Sequence, residues 1–387
     1  MAYNARWGIL ATGGIAKTFV SDLLKDPKAR GALDVSHTVT AVASSSSKSR
    51  AEQFISELKI PGSPSAYGSY EDLVKDPNVD IVYVTTPHSH HYQNARLALE
   101  SGKHVLCEKA FTVNAAQAKI LCELAKEKNL FLMEAVWTRY FPLSIQVREL
   151  IQKGEIGEVL RVITDLSLGN TEYWDASHRM VNLDLAGGAL LDLGVYPLTW
   201  VFQTLYHTLP PAQRQPPSSI VSSMAKYPGT GADESTTMIV TFPTTTPSGT
   251  SHAHHRSSHA VAMTAFAVGT DPGLKSSTGP AIRIQGTKGE IQVDAPAFRP
   301  LRFWVIPKTE EGPGQVREVE CPIPEGERGM YWEADEAARC VRDGKLESEG
   351  MPWEESIVIM QTMDEIRKQH GLVYPEKIES TEYPVQL

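Results

Sequence analysis

Cysteine is scarce in this chain: Cys107, Cys122, Cys321 and Cys340 are the whole complement, widely spaced and without a C-x-x-C pair. That pattern argues against a disulfide framework and fits a reducing compartment. Long runs of like charge are also missing, although the formal net charge is −9. Nothing in the pattern suits a phosphate backbone, and nucleic acid is not an expected partner. No stretch reads as the roughly 18 apolar residues of a membrane span, and the hydrophobic run in MAYNARWGIL is too short for a signal peptide. The expectation is a soluble, cytoplasmic protein. What is present is a globular composition, 387 residues with 41% hydrophobic, enough for a sizeable core and two domains.

The first third alternates two periodicities. Trp7 to Ala11, Thr38 to Ala43, Ile81 to Thr85, His104 to Cys107 and Phe131 to Glu134 read as short strands. Between them, Ile15 to Leu24, Ser49 to Leu58, His91 to Ser101 and Ala115 to Lys128 read as amphipathic helices. This is the signature of βαβ units and a doubly wound parallel sheet, whose ligands sit beyond the carboxyl ends of the strands. After Glu134 the rhythm changes. A helix over Leu143 to Gln152 precedes candidate strands at Val159 to Ser167, Ile220 to Lys226, Thr236 to Phe242, Ala281 to Gln285 and Glu290 to Val293. These indicate an α+β unit with a large, mostly antiparallel sheet. Helices over Tyr331 to Arg342 and Glu354 to Gln369 follow, and the sequence leaves open which sheet they cover. Residues 1–136 are expected to form a Rossmann domain, and 137–387 a second, α+β domain. Leu209 to Ser219 and Pro243 to His259 read as loops; the second holds His252, His254, His255 and His259 but no Cys or carboxylate, so no metal is expected there.

A cofactor is implied where the first strand turns into the first helix. Aligned on G-x-G-x-x-G/A, the fingerprint glycines fall at Ala11, Gly13 and Ala16, with Thr12, Gly13, Gly14 and Ile15 forming the turn that meets a pyrophosphate. NAD sites usually carry an acid after the second strand; here the chain runs Ser44, Ser45, Ser46, Ser47, Lys48, Ser49, Arg50. Serine hydroxyls and the planar guanidinium of Arg50 suit a 2′-phosphate, so NADP is the expected cofactor.

Four further segments, VTTPHSHHYQNA from Val84, SGKHVLCEKAFTVN from Ser101, LMEAVWTRYFP from Leu132 and GGALLDLGVYPL from Gly187, together resemble the Gfo/Idh/MocA oxidoreductases. Within that family they are similar to the branch of NADP-dependent D-xylose 1-dehydrogenases and dimeric dihydrodiol dehydrogenases. The resemblance implies a catalytic lysine at Lys109, in the family's Glu-Lys-Pro motif, and a catalytic tyrosine at Tyr196. It implies cofactor contacts from Thr86, Pro87, His88, Trp137 and Arg139, and a homodimer through the open face of the second sheet.

The same residues make chemical sense by themselves. Oxidising a carbinol needs a base for the hydroxyl proton while hydride leaves for the nicotinamide. A lysine ammonium beside a tyrosine favours phenolate, so the Lys109 and Tyr196 pair is a workable proton acceptor. Glu108 is read as holding Lys109 or a ribose hydroxyl. Asp192 is read either as a helix cap or as orienting a substrate hydroxyl. Of His88, His90 and His91, one is expected to touch cofactor or substrate. Asp175, His178 and Arg179 are candidates for sugar hydroxyls, with a plain loop as the alternative.

The leading reading is oxidation of an aldose at C1, D-xylose to xylonolactone in the form the resemblance implies. Oxidation of trans-dihydrodiols, or reduction of dicarbonyls, is the enzymatic alternative, and an NADP-sensing regulator without catalysis is the alternative of another class. Ala110 departs from the family's proline. A cis bond before a non-proline residue costs about 2.5–4 kcal/mol, against roughly 0.5–1 before proline, so a trans peptide is expected at Lys109–Ala110.

Overall fold

A computed structural model describes residues 2–243, 257–272, 279–309, 312–324 and 327–387. Its first sheet is built from β1 (Tyr3–Leu10), β2 (Val35–Ala43), β3 (Ser65–Tyr67), β4 (Ile81–Val84), β5 (His104–Glu108) and β6 (Leu132–Ala135). All pairs are parallel, in the order β3-β2-β1-β4-β5-β6. Every residue of β4 and of β6 is buried, because a parallel strand with helices on both faces has no solvent side. The helices are α1 (Gly14–Leu23), α2 (Lys48–Glu57), α3 (Tyr70–Leu73), α4 (His88–Glu100) and α5 (Ala115–Lys128). Their starts follow local chemistry: Ser47 caps α2 through the Arg50 N–H, and Asn114 caps α5 through the Gln117 N–H. The strand order reverses between β1 and β4, which opens a crevice at their carboxyl ends.

A 3-10 turn, Trp137–Tyr140, and α6 (Pro142–Gln152) lead into the second sheet. It comprises β7 (Val159–Ser167), β8 (Ser219–Lys226), β9 (Asp233–Pro243), β10 (Ser257–Ala265), β11 (Ile282–Gly286), β12 (Gly289–Val293), β13 (Arg302–Thr309), β14 (Gly312–Pro313) and β15 (Arg317–Glu320). The order is β14-β13-β12-β11-β7-β10-β9-β8, with β15 also on β13, and only β7 with β10 runs parallel. Along β9, Met238, Val240 and Phe242 are buried while Thr237 and Ile239 are exposed, so one face is core and the other open. The buried face is covered by α7 (Val195–Leu205), which meets β7 and β10.

After β15 come α8 (Tyr331–Arg342), α9 (Trp353–Gln369) and the short α10 (Glu376–Glu379). Helix α8 packs on β1, β2 and α1, whereas α9 touches α5, α7 and β8, so the two returning helices serve both sheets. The contact of α8 with the first sheet is ionic as well as apolar: Asp335 accepts from Arg30 Nε at 2.8 Å and Nη2 at 2.7 Å and lies 2.8 Å from His37, all three side chains buried.

Three expectations need correction. The helical run Leu183–Leu205 is, by length and composition, apolar enough to cross a membrane. It is almost wholly buried within the protein, because it is the core helix beneath the second sheet. The loop expected over Pro243 to His259 ends early: Ser257, Ser258 and His259 already belong to β10, held by β9 and β7. His252, His254 and His255 lie outside the described residues. Strands β3, β10, β13, β14 and β15 escaped the sequence reading; β3, β14 and β15 have only three, two and four residues, β10 follows a Ser/His-rich stretch, and β13 contains Pro307.

Candidate active site

The crevice at the carboxyl ends of β1, β4 and β5 gathers residues from both sheets. At the β1–α1 turn, Ala11 has φ +96°, the conformation glycine supplies without cost at this fingerprint position. Gly13 and Gly14 need no glycine for packing, since an added Cβ would meet nothing within 4 Å at either, and Gly13 has φ −76°. The first turn of α1 has no side-chain cap. Open space in front of uncapped amides fits a pyrophosphate. Beyond β2, Ser44 is buried and bonded to Ser46 Oγ at 3.0 Å, while Ser45, Ser46 and Arg50 face solvent. Thr86 and Pro87 follow β4, with Thr86 Oγ1 accepting from Asn94 at 3.1 Å.

Lys109 leaves the end of β5, and its Nζ donates to the Asp192 carbonyl at 2.8 Å and to Asp192 Oδ1 at 3.2 Å. Asp192 lies in a π-helical turn, Leu190–Gly194, that runs into α7. Such a turn loosens the i→i−4 ladder and leaves a carbonyl for an outside donor. Arg179 reaches the same carboxylate at 3.4 Å, and His88 Nε2 lies 3.8 Å away. Burial pushes the Asp192 carboxyl up, but Lys109, Arg179 and His88 together hold it well below the usual carboxylate range. Burial pulls the His88 imidazole down to about 4 against the opposing pull of Asp192, so it is neutral at physiological pH.

Tyr196 projects from the first turn of α7. Its Oη accepts the Trp137 indole N–H at 2.8 Å, and the Lys109 ammonium stands 5.1 Å from the centre of its ring. Phe298 packs beside both, 5.8 Å from the Tyr196 ring and 5.9 Å from Trp137. The expected lowering of the phenol by Lys109 is not what this geometry gives. Burial first, and then the Glu108 carboxyl, push Tyr196 well above its ordinary value, opposed by the Trp137 bond. Lys109 instead gives hydrogen bonds to Asp192. Glu108 is itself buried; it accepts from Tyr83 Oη and, at 3.2 Å, from the Lys109 N–H.

The Lys109–Ala110 peptide is cis, contrary to the trans expectation. The groups around it are each tied down: the Ala110 carbonyl lies 2.8 Å from His91 Nδ1, and the Phe111 N–H donates to Glu134 at 3.0 Å. His91, a candidate for cofactor contact, is turned into the protein: it is buried, with its other nitrogen 2.8 Å from the Thr86 carbonyl. Arg139 is likewise removed from the crevice. It is fully buried, with Nη1 on Glu355 at 2.6 Å and Nη2 on the Gly350 carbonyl at 2.8 Å, and it ties the 3-10 turn to the start of α9. Of the polar segment after β7, only Arg179 joins the cluster. Asp175 closes its own turn on Ser177, and His178 stacks on Trp174 at 4.7 Å.

Sequence reasoning missed Tyr83, Phe298 and Glu333. Glu333 on α8 is fully buried with neither carboxylate oxygen hydrogen-bonded. Burial, then Glu108 and Asp22, push it well above the carboxylate range. Nothing local in YWEADEAARC marks it, because only tertiary packing puts it near Glu108. Among the described residues there is no group of three or more His, Cys, Asp or Glu able to hold a metal.

Comparison with known proteins places this geometry. The family described as oxidoreductase family, NAD-binding Rossmann fold, matches residues 5–136, and the GFO/IDH/MocA C-terminal domain matches residues 144–292. The chain is 57% identical to the D-xylose 1-dehydrogenase (NADP(+)) of Hypocrea jecorina, over 98% of this chain and 96% of that protein. It is 33% identical to the trans-1,2-dihydrobenzene-1,2-diol dehydrogenase of Homo sapiens, over 96% and 98% respectively. In fold it is similar to KijD10, a 3-ketoreductase from Actinomadura kijaniata solved with NADP and TDP-benzene, with a TM-score of 0.71, 21% identity and coverage of 94% and 97%. The aldose-aldose oxidoreductase of Caulobacter crescentus gives a TM-score of 0.71 at 19% identity, covering 95% and 98%.

Proposed function

This chain belongs to the Gfo/Idh/MocA oxidoreductase family, and from that premise we propose that it oxidises an aldose at C1 with NADP, taking D-xylose to xylonolactone. The observation that carries the reading is the convergence of Lys109, Asp192 and Tyr196 at the mouth of a dinucleotide crevice. That arrangement comes with 57% identity to a D-xylose dehydrogenase, against 33% to a dihydrodiol dehydrogenase.

Thr12, Gly13, Gly14 and Ile15 would hold the pyrophosphate, Ser44, Ser45, Ser46 and Arg50 the 2′-phosphate, and Thr86, Pro87 and His88 the nicotinamide side. When bound, the oxidised nicotinamide brings a positive ring and accepts hydride from the sugar carbon. The protein's own part is the proton. Tyr196 acts as the phenolate: it first releases its own proton to solvent, a loss that the Trp137 indole N–H and the nearby Lys109 ammonium favour, and its Oη then takes the proton of the C1 hydroxyl. Lys109, anchored by Asp192, supplies positive charge beside the phenol and the developing alkoxide. Neutral His88 and the Arg179 guanidinium line the same carboxylate; Arg179 offers donors to further sugar hydroxyls, and His88, whose Nδ1 faces the Ala186 carbonyl at 3.3 Å, offers Nε2 as an acceptor. A regulator without catalysis has no use for this set.

The protein acts as a homodimer through the open face of the second sheet. In support, Val221, Ile239, Val261 and Ile163 stand opposite one another across β8, β9, β10 and β7, forming an apolar row on the uncovered side, with Val221 58% and Ile239 47% exposed. Sedimentation analysis checks this. Four free cysteines accord with a cytoplasmic location. The decisive experiment is a screen of the purified protein with NADP against pentoses, hexoses and dihydrodiols. Turnover on D-xylose is expected; turnover on dihydrodiols alone selects the second reading, and none at all selects the regulator.

A further inference from the structure

We propose that Lys17 is a second cationic ligand for the 2′-phosphate of NADP, sharing with Arg50 a small recess between α1 and α2; the proposal rests on the NADP reading above. The recess has a volume of about 90 Å³ and is lined by Thr12, Lys17, Arg50, Gln53, Phe54 and Glu57. Thr12 belongs to the fingerprint turn, and Arg50, Gln53, Phe54 and Glu57 occupy the side of α2 that faces α1. The recess is therefore continuous with the turn that meets the nucleotide.

Its charges decide what it can accept. Lys17 Nζ lies 2.5 Å from Glu57 Oε2, and Gln53 Nε2 donates to Glu57 Oε1 at 2.7 Å. Both partners of the ion pair are well exposed, with side-chain accessibilities of 47% and 40%, so the pair adds little to stability. Its consequence is local. Without Lys17, the Arg50 cation and the Glu57 carboxylate cancel in net charge, and a phosphate carrying about two negative charges keeps only the Arg50 hydrogen bonds. With Lys17 the recess carries a net positive charge, and the long exposed side chain can exchange one anionic partner for another. An unphosphorylated ribose draws no benefit from that charge. Lys17 thus acts on the choice between the two nucleotides rather than on nucleotide binding in general.

The test is calorimetric titration of the purified full chain with adenosine 2′,5′-bisphosphate and with 5′-AMP, which report the phosphate contact without turnover. Lys17→Met is expected to weaken the bisphosphate by ~10-fold or more, the scale of one charge-assisted hydrogen bond, while 5′-AMP binding holds. Glu57→Gln, which frees the ammonium, is expected to tighten the bisphosphate alone. Added salt should erode both differences. An unchanged bisphosphate-to-AMP ratio in Lys17→Met, with or without a lowered melting temperature, overturns the proposal and leaves the pair as a tie between helices. If Arg50→Ala abolishes the discrimination while Lys17→Met preserves it, Lys17 is refuted and the NADP reading stands. If the unmodified protein does not discriminate at all, the NADP reading itself fails.

Discussion

Replacing Trp137 by Phe isolates the group that favours the Tyr196 phenolate. The indole N–H donates to Tyr196 Oη at 2.8 Å, and Phe removes that donor while keeping an aromatic ring among Phe141 and Phe298. A hydrogen bond to a charged acceptor contributes about 1.5–3 kcal/mol and one to a neutral acceptor about 0.5–1.5. The difference between the phenolate and phenol states is therefore about 1–2 kcal/mol, which raises the phenol by roughly one unit in the variant. Below the pH at which the base is fully ionised, kcat/KM for the sugar should fall by about tenfold, and the limb of the pH profile should move up by about one unit. Stability should drop by only roughly 1–2 kcal/mol, the cost of a smaller ring in the stack. The assay is the pH dependence of kcat/KM at saturating NADP, with the same measurement in a Tyr196→Phe background. There the Trp137 effect should vanish, because the two changes remove one interaction. A loss of equal size at every pH, or a full Trp137 effect without Tyr196, would refute the assignment.

Three more outcomes can be measured. Lys109→Met and Tyr196→Phe should each lower turnover by ~10² or more, with NADP binding to the tyrosine variant retained in a fluorescence titration; near-normal turnover in Tyr196→Phe removes it as the proton acceptor. Ala11→Gly should raise the melting temperature slightly, because relief of strain at φ +96°, about 1–2 kcal/mol, exceeds the roughly 0.4–1 kcal/mol of added freedom in the unfolded chain; a lower melting temperature contradicts that balance. Burial raises the Glu134 carboxyl from 4.5 to about 7, against hydrogen bonds from Ser356 and the Phe111 N–H. Its native value lies above its unfolded one, so its contribution is complete below about pH 4.5 and is lost as pH rises through 7. Denaturant titrations should therefore show Glu134→Gln gaining on the unmodified protein between pH 5 and 8, by up to ~3 kcal/mol; a constant difference rules out the buried proton.

The alternation of strands and helices through Ala135, the fingerprint turn and most of the second sheet were legible in the sequence, because hydrophobic period, capping residues and turn residues are local properties. The Glu108-Lys109 and Asp192 to Tyr196 motifs were legible for the same reason, as short strings at the ends of recognisable elements. What the residues do to one another was not. Lys109 meets Asp192 across 83 positions and Trp137 meets Tyr196 across 59, and no pattern of neighbours in the chain encodes such a meeting. His91 and Arg139 stand in the same motifs as the candidate site residues, yet packing turns both inward onto carbonyls and a carboxylate. The raised Tyr196 phenol and the buried acid Glu333 belong to the same class. Each depends on which groups exclude water from which others, and that is fixed only when distant segments close over the crevice.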